Sequence, residues 1–280
     1  MEAEMRRIGV GGAVALLLLV AGLVSAAGAS AAEYEVEGLP EVGHCVKVAR
    51  GAGEYEEGQC VHAVSKGGFY DWHPVLESQK LKFSGSGGAT KLTVAGQPLR
   101  SLSCITTNLT GTWTGRHTAE IHLELQGCLN SEHKQCQTST NKSEVFGEFP
   151  AHLGFIRNVI KNGKPVAEVG LDFKAEGLLP QLTSYECGSL TEETFIEGSL
   201  IGKISPIDAM TTKSNMLLQV VKGKQQYRKF QGEPEDVLTA SWLSGLETLH
   251  APAMFGIAPK TESGENESGP VEIKAELIEG

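Results

Sequence analysis

Thr118-Ala119-Glu120-Ile121-His122-Leu123-Glu124-Leu125 alternates strictly between polar and apolar residues. Ala119, Ile121, Leu123 and Leu125 point one way, and Thr118, Glu120, His122 and Glu124 the other, which is the period of a half-buried strand. Glu168 to Glu176 repeats it, with Val169, Leu171, Phe173 and Ala175 opposed to Asp172 and Lys174. Val271, Ile273, Ala275 and Leu277 do so again near the C-terminus. One wet and one dry face per strand suits antiparallel sheets and not a doubly wound parallel sheet.

Working outward, Lys80–Phe83, Thr90–Ala95, Leu102–Thr106, Phe195–Ile204, Met216–Val221 and Val237–Leu243 are less regular strand candidates. Ser84-Gly85-Ser86-Gly87-Gly88, Lys161-Asn162-Gly163-Lys164 and Lys222-Gly223-Lys224 read as hairpin loops, Asn162-Gly163 most strongly. No helical periodicity stands out beyond the apolar N-terminal run. The expected fold is all-β, an antiparallel sandwich or an up-and-down barrel. Glu33 to Pro74 lacks long alternating runs and holds Cys45 and Cys60, so it is expected to form a small disulfide-pinned lobe. That gives a lobe over 33–76 and a main sheet region over 77–280. The polar stretch Thr261–Gly269 reads as a loop.

Residues 1–32 read as a secretory signal peptide. Arg6 and Arg7 lead the apolar run Ala13–Val24, and Ala29-Ser30-Ala31-Ala32 offers a cut after Ala31 or Ala32. No lipobox-like cysteine sits near that cut, and no later stretch approaches the roughly 18 apolar residues of a spanning helix. The rest of the 280 residues is long enough for a large core, and 40% hydrophobic content argues against general disorder. A net charge of −10 argues against nucleic acid and anionic membrane surfaces as partners.

An exported chain meets oxidising conditions, so its six cysteines are expected to form disulfides. Six cysteines permit fifteen pairings. Local proximity favours Cys45–Cys60 and Cys128–Cys136, leaving Cys104 to reach Cys187. Spacings of 15, 44, 24, 8 and 51 do not fit the close pairs of zinc sites.

Cys45 with Gly58-Gln59-Cys60, Gly67-Gly68-Phe69-Tyr70-Asp71-Trp72, Gly127-Cys128 and Cys136 look like landmarks of one group of proteins. So do Leu153-Gly154-Phe155, Val169-Gly170-Leu171, Cys187 and Gly198-Ser199-Leu200-Ile201-Gly202. On these residues nearly the whole mature chain resembles secreted, β-rich, cysteine-containing proteins of high-GC Gram-positive (actinobacterial) soil bacteria. The resemblance implies one extracellular β domain. It brings no activity, cofactor or catalytic residue.

Few residues stand in a pattern that points to chemistry. Ser84 and Ser86 lack the flanking glycines of a nucleophile elbow. No H-E-x-x-H, P-loop or dinucleotide fingerprint occurs, so no cofactor or metal is expected. His117 and His122 are five apart and fall on opposite faces of a strand. His44, His62 and His73 share the lobe, where surface histidines are the preferred reading over a metal site. Glu56-Glu57 and Glu192-Glu193 read as solvated loops. Asn108, Asn141 and Asn266 begin glycosylation sequons, which carry no meaning if the source is bacterial.

Two clusters remain as ligand candidates. Tyr70, Asp71, Trp72 and His73 join an acid, an imidazole and aromatics, although aromatic packing anchors account for them more simply. Lys224, Tyr227 and Arg228, with Lys222, Lys229 and Phe230, form a basic patch in an acidic protein. The expected function is a secreted, non-catalytic binding or structural module of a cell-surface polymer or another ligand. One alternative is a barrel carrier of a small apolar ligand, with lumen space left by the alternation Ile196, Gly198, Leu200, Gly202, Ile204. The other is an extracellular hydrolase with residues assembled from loops.

Overall fold

Eight strands that alternate between apolar and polar residues pair in chain order and close on themselves. They are β1 (Leu81–Gly87), β2 (Thr106–Trp113), β3 (Thr118–Gln126), β4 (Glu144–Lys161), β5 (Lys164–Lys174), β6 (Ser199–Ser205), β7 (Ser214–Leu218) and β8 (Ala253–Lys260). Every neighbouring pair is antiparallel, and β8 returns to β1, so the sheet is an up-and-down barrel. The computed structural model describes residues 34–35, 38–138, 143–175, 181–188, 190, 192–235, 237–251, 253–260 and 271–275. The expected signal segment, the polar stretch Thr261–Gly269, Asn141 and Asn266 lie outside the described residues, none of which is helical.

Inward positions follow the alternation. Leu109 and Trp113 of β2, Ala119, Ile121 and Leu125 of β3, and Val169, Leu171 and Phe173 of β5 are all buried. Phe173 packs beside Phe149, ring centroids 5.6 Å apart. The interior is filled, with residual gaps of about 50 and 20 Å³ among the described residues. The glycines expected to leave a lumen do something else. A Cβ on Gly202 would lie 2.5 Å from Met216, which occupies that space. Gly198 has a positive φ of 94° and approaches the Val237 carbonyl, so it breaks the expected continuous strand Phe195–Ile204 into two.

At one end of the barrel, hairpin excursions build a second sheet. Thr90–Val94 with Leu102–Cys104, Leu129–Asn130 with Cys136–Gln137, Gln181–Cys187 with Thr194–Glu197, and Thr239–Trp242 with Gly245–His250 supply its strands. Its outermost strands meet through a Leu129–Gln135 bridge, so this sheet also curls round. Arg100 is 8% exposed here and donates to Thr194 Oγ1 (2.9 Å) and Glu192 Oε2 (3.0 Å), while its guanidinium lies 4.4 Å from the Trp242 ring centroid. Glu192, expected in a solvated loop, is thus the counter-ion of a buried cation. The Tyr185 hydroxyl donates to the Arg100 carbonyl, and burial raises its pKa.

At the other end sits the N-terminal lobe, a five-stranded sheet of Glu41–Lys47, Gly53–Tyr55, Ala63–Gly68, Tyr70–Pro74 and the returning Val271–Lys274. Val42, Val75 and Ile273 join the barrel core beside Phe83, Trp113 and Ile204. The lobe therefore caps the barrel.

Two expectations are corrected. The bridges are Cys45–Cys60, Cys104–Cys128 and Cys136–Cys187, so two of the three expected pairs are wrong. Cys128 and Cys136 are indeed neighbours, the Cys136 N–H donating to the Cys128 carbonyl at 2.9 Å. Each nevertheless bonds a cysteine on another hairpin, because proximity along one hairpin does not aim two side chains at each other. Ser84–Gly87 lies inside β1 and not in a turn, with Gly85 and Gly87 opposite buried Leu109 and Thr107. Pairing on both edges overrides the turn propensity of Gly and Ser. The Asn162-Gly163 and Lys222-Gly223 hairpins are present, all four residues having positive φ as a two-residue turn of type I′ needs.

Candidate functional site

The first sequence candidate proves largely to be packing. Trp72 lies over Gly43, where a Cβ would meet its ring at 2.3 Å, and the Lys274 ammonium sits 4.1 Å from its ring centroid. Tyr70 is directly opposite Tyr55, with Gly58 against its ring. Asp71 and His73 share a face but form no acid/base pair. Asp71 Oδ1 accepts the Glu54 N–H at 2.6 Å, and His73 stands across the strands from His44. His62 contacts Glu57 instead of joining them.

His44 has a buried Nδ1 without a hydrogen-bond partner, and burial followed by His73 lowers its pKa below 6.5. The folded chain thus takes up a proton at lower pH than the unfolded chain, so stability is full above pH 6.5 and declines below it. Glu272 opposes this. Burial raises its pKa above 4.5, and between 4.5 and that raised value the folded form holds the extra proton and gains as pH falls. Urea midpoints measured against pH are expected to decline below 6.5 and to lose that decline in His44→Gln; an unchanged decline would remove His44 from the account.

The second candidate is split. Lys222, Lys224 and Lys229 are exposed, but Arg228 is ion-paired with Glu235, and Phe230 is only 6% exposed. Phe230 anchors a strap, residues 219–235, that follows β7 in the chain. The strap crosses the outside of β4, where a Cβ on Gly154 would lie 2.3 Å from the Phe230 ring. Gln231 completes the crossing. Its N–H donates to the Phe155 carbonyl (2.7 Å), its side-chain oxygen accepts from the Asn158 N–H, and its amide nitrogen donates to the Asn158 carbonyl (3.1 Å). Gln231 thus fills the β4 edge between its pairing with β3, which ends at His152, and the short strand Tyr34–Glu35, which pairs with Val159 and Ile160. Gln231→Ala should cost about 1–3 kcal/mol, read from chemical denaturation, because it strands buried backbone groups.

Between this strap and Gly38–Leu39 the outer wall opens into a groove of about 500 Å³. Leu39, 53% exposed, and the rim of Phe230 supply apolar surface; His117, His152, Asp172, Lys174 and Glu233 supply charge and hydrogen bonding. His152 and Asp172 face each other across β4 and β5. His117 Nδ1 donates to the Pro40 carbonyl at 2.8 Å, which turns Nε2 toward Glu41, 3.7 Å away. A second concavity, about 640 Å³, lies on the same wall over β1 to β4 and includes Thr110, Glu120, His122 and Glu148. Both fall in the size range of ligand sites, which the gaps inside the barrel do not.

In the sequence Phe230 stands out only beside the basic patch; His117 and His122, expected on opposite faces of one strand, both line the outer wall because His117 precedes β3 and is not part of it. On the wet face of a strand a charged residue is the default, and the strap that makes the wall concave comes from about 60 residues further on. Among the described residues no group of three or more His, Cys, Asp or Glu is placed to hold a metal ion, and no helix is long and apolar enough to cross a membrane. No family model, curated protein or solved structure matches the chain.

Proposed function

We propose that the chain is a secreted, non-catalytic binding module whose ligand lies on the outer wall of the barrel. The observation that carries this reading is the contrast between a filled interior and two open concavities of about 500 and 640 Å³ outside it. A gap of about 50 Å³ holds little more than one water, which speaks against a carrier of lumenal ligands. Three disulfides and the signal-like N-terminus support an extracellular site of action.

Hydrogen-exchange mass spectrometry of the exported protein tests the reading, with cello-, chito- and galacturonate oligosaccharides and decanoate as probes. Protection over residues 146–155 and 228–235 is expected. Protection confined to inward positions would restore the carrier, and new reducing ends would establish a hydrolase. Export itself predicts an intact mass that starts at Ala32 or Glu33 and falls about 6 Da below the thiol form.

A further inference from the structure

The register of β1 to β4 fixes a grid of outward side chains. Lys82, Thr112, Glu120 and Pro150 form one row, and Ser84, Thr110, His122 and Glu148 the next. Ser86, Asn108, Glu124 and Phe146 form the third. Over β1 and β2 the side chains are short hydroxyls and an amide, apart from Lys82. Over β3 and β4 they are longer, and His122 Nδ1 is held by Glu148 Oε1 at 3.2 Å with its ring stacked on Phe146. Short floor and tall wall together make the trough.

The trough does not end at Pro150. His152, two positions on along the same outer face of β4, already belongs to the strap groove. From Glu148 to Gly154 the two concavities cover about 20 Å of strand, which exceeds one small ring and suits an extended chain. The chemistry of the surface narrows the occupant. Hydroxyl, amide and carboxylate groups at strand spacing match a polyhydroxylated ligand; Phe146, stacked on His122, borders the trough, and Leu39, 53% exposed, adds apolar surface in the groove. Along trough and groove the carboxylates Glu120, Glu148, Asp172 and Glu233, with Glu124 in the adjoining row, outnumber the ammoniums Lys82 and Lys174, so like charge disfavours phosphate or uronate polymers and favours a cationic one.

We propose that trough and groove form one track for an oligosaccharide that carries free amino groups. This rests on the outer-wall reading above and names its ligand class. Titration calorimetry with three hexamers tests it: glucosamine, its N-acetylated form and galacturonate. Glucosamine hexamer should bind best and galacturonate not at all. E120K/E148K should weaken the glucosamine hexamer about 10-fold or more while changing the neutral hexamer little. T110W, which fills the trough from an exposed position, should weaken both, with thermal midpoints of all variants near that of the parent.

Galacturonate binding as tight as glucosamine would overturn the charge argument. Glucosamine binding untouched by T110W, or confined by exchange mapping to the strap groove, would overturn the track and leave the outer-wall reading standing. No binding of any hexamer at millimolar concentration would reject the sugar ligand. Exchange protection on the wall by a probe other than these sugars would then still support the wider reading, and its absence with every probe would end both.

Discussion

Removing the Cys136–Cys187 bridge, as C136A/C187A, is expected to cost about 4 kcal/mol, the largest loss among the three disulfides. The bridge closes a separation of 51 residues, against 24 for Cys104–Cys128 and 15 for Cys45–Cys60. In the chain-entropy model the cost of losing a cross-link grows with the logarithm of the loop, giving about 4, 3.5 and 3 kcal/mol in that order. Native context adds to the ranking. Cys136–Gln137 pairs with Gln181–Cys187 through two residue pairs only, so the covalent link does much of the holding at that edge of the second sheet. At about 2–4 °C per kcal/mol for a chain of this size, the midpoint should fall by roughly 10 °C. Thermal denaturation of the three double-alanine variants under non-reducing conditions checks the order. Losses equal across the three, or largest for Cys45–Cys60, would mean that native contacts and not the unfolded chain govern the effect.

The cysteines also mark how far sequence reading went. That all six pair was legible from a signal-like N-terminus and unsuitable metal spacing; which pairs form was not. Cys128, just before Leu129–Asn130, and Cys136 look in the sequence like the two ends of a local loop, yet each cross-links outward around the sheet. Strand β3 and the core of β5 were legible because a half-buried strand writes its two faces into every second residue. Strand β4, the longest, was not read as a strand. Val145, Phe149, Ala151, Leu153 and Phe155 keep the alternation, but Gly147 and Gly154 read as breakers. Both are small because another layer crosses there: Leu182 lies against Gly147 and Phe230 against Gly154. A glycine chosen for close approach looks the same in sequence as one chosen for a turn. The strap explains why the groove was equally hidden. In the sequence Tyr227 and Phe230 accompany a basic patch, whereas in the fold Phe230 is an anchor and the groove lies on the wall beneath it.

Phe173→Ala is expected to lower stability by about 3–5 kcal/mol and to give the barrel a binding property that the parent lacks. Phe173 is 1% exposed and stands opposite Ala151 on one side and Leu200 on the other, so its ring fills the space that Ala151 leaves. Truncating a buried phenylalanine loses transfer free energy and leaves a cavity that closed, paired strands on both sides cannot collapse. An apolar cavity of this kind stays dry and accepts xenon or benzene. Chemical denaturation gives the stability loss, and xenon or benzene uptake followed by NMR gives the cavity. The comparison with the parent bears on function as well as packing. If the parent takes up neither guest, its interior is closed to apolar ligands, and binding belongs to the outer wall. Uptake by the parent as strong as by the variant would mean the lumen opens in solution, and the carrier reading would displace the one proposed here.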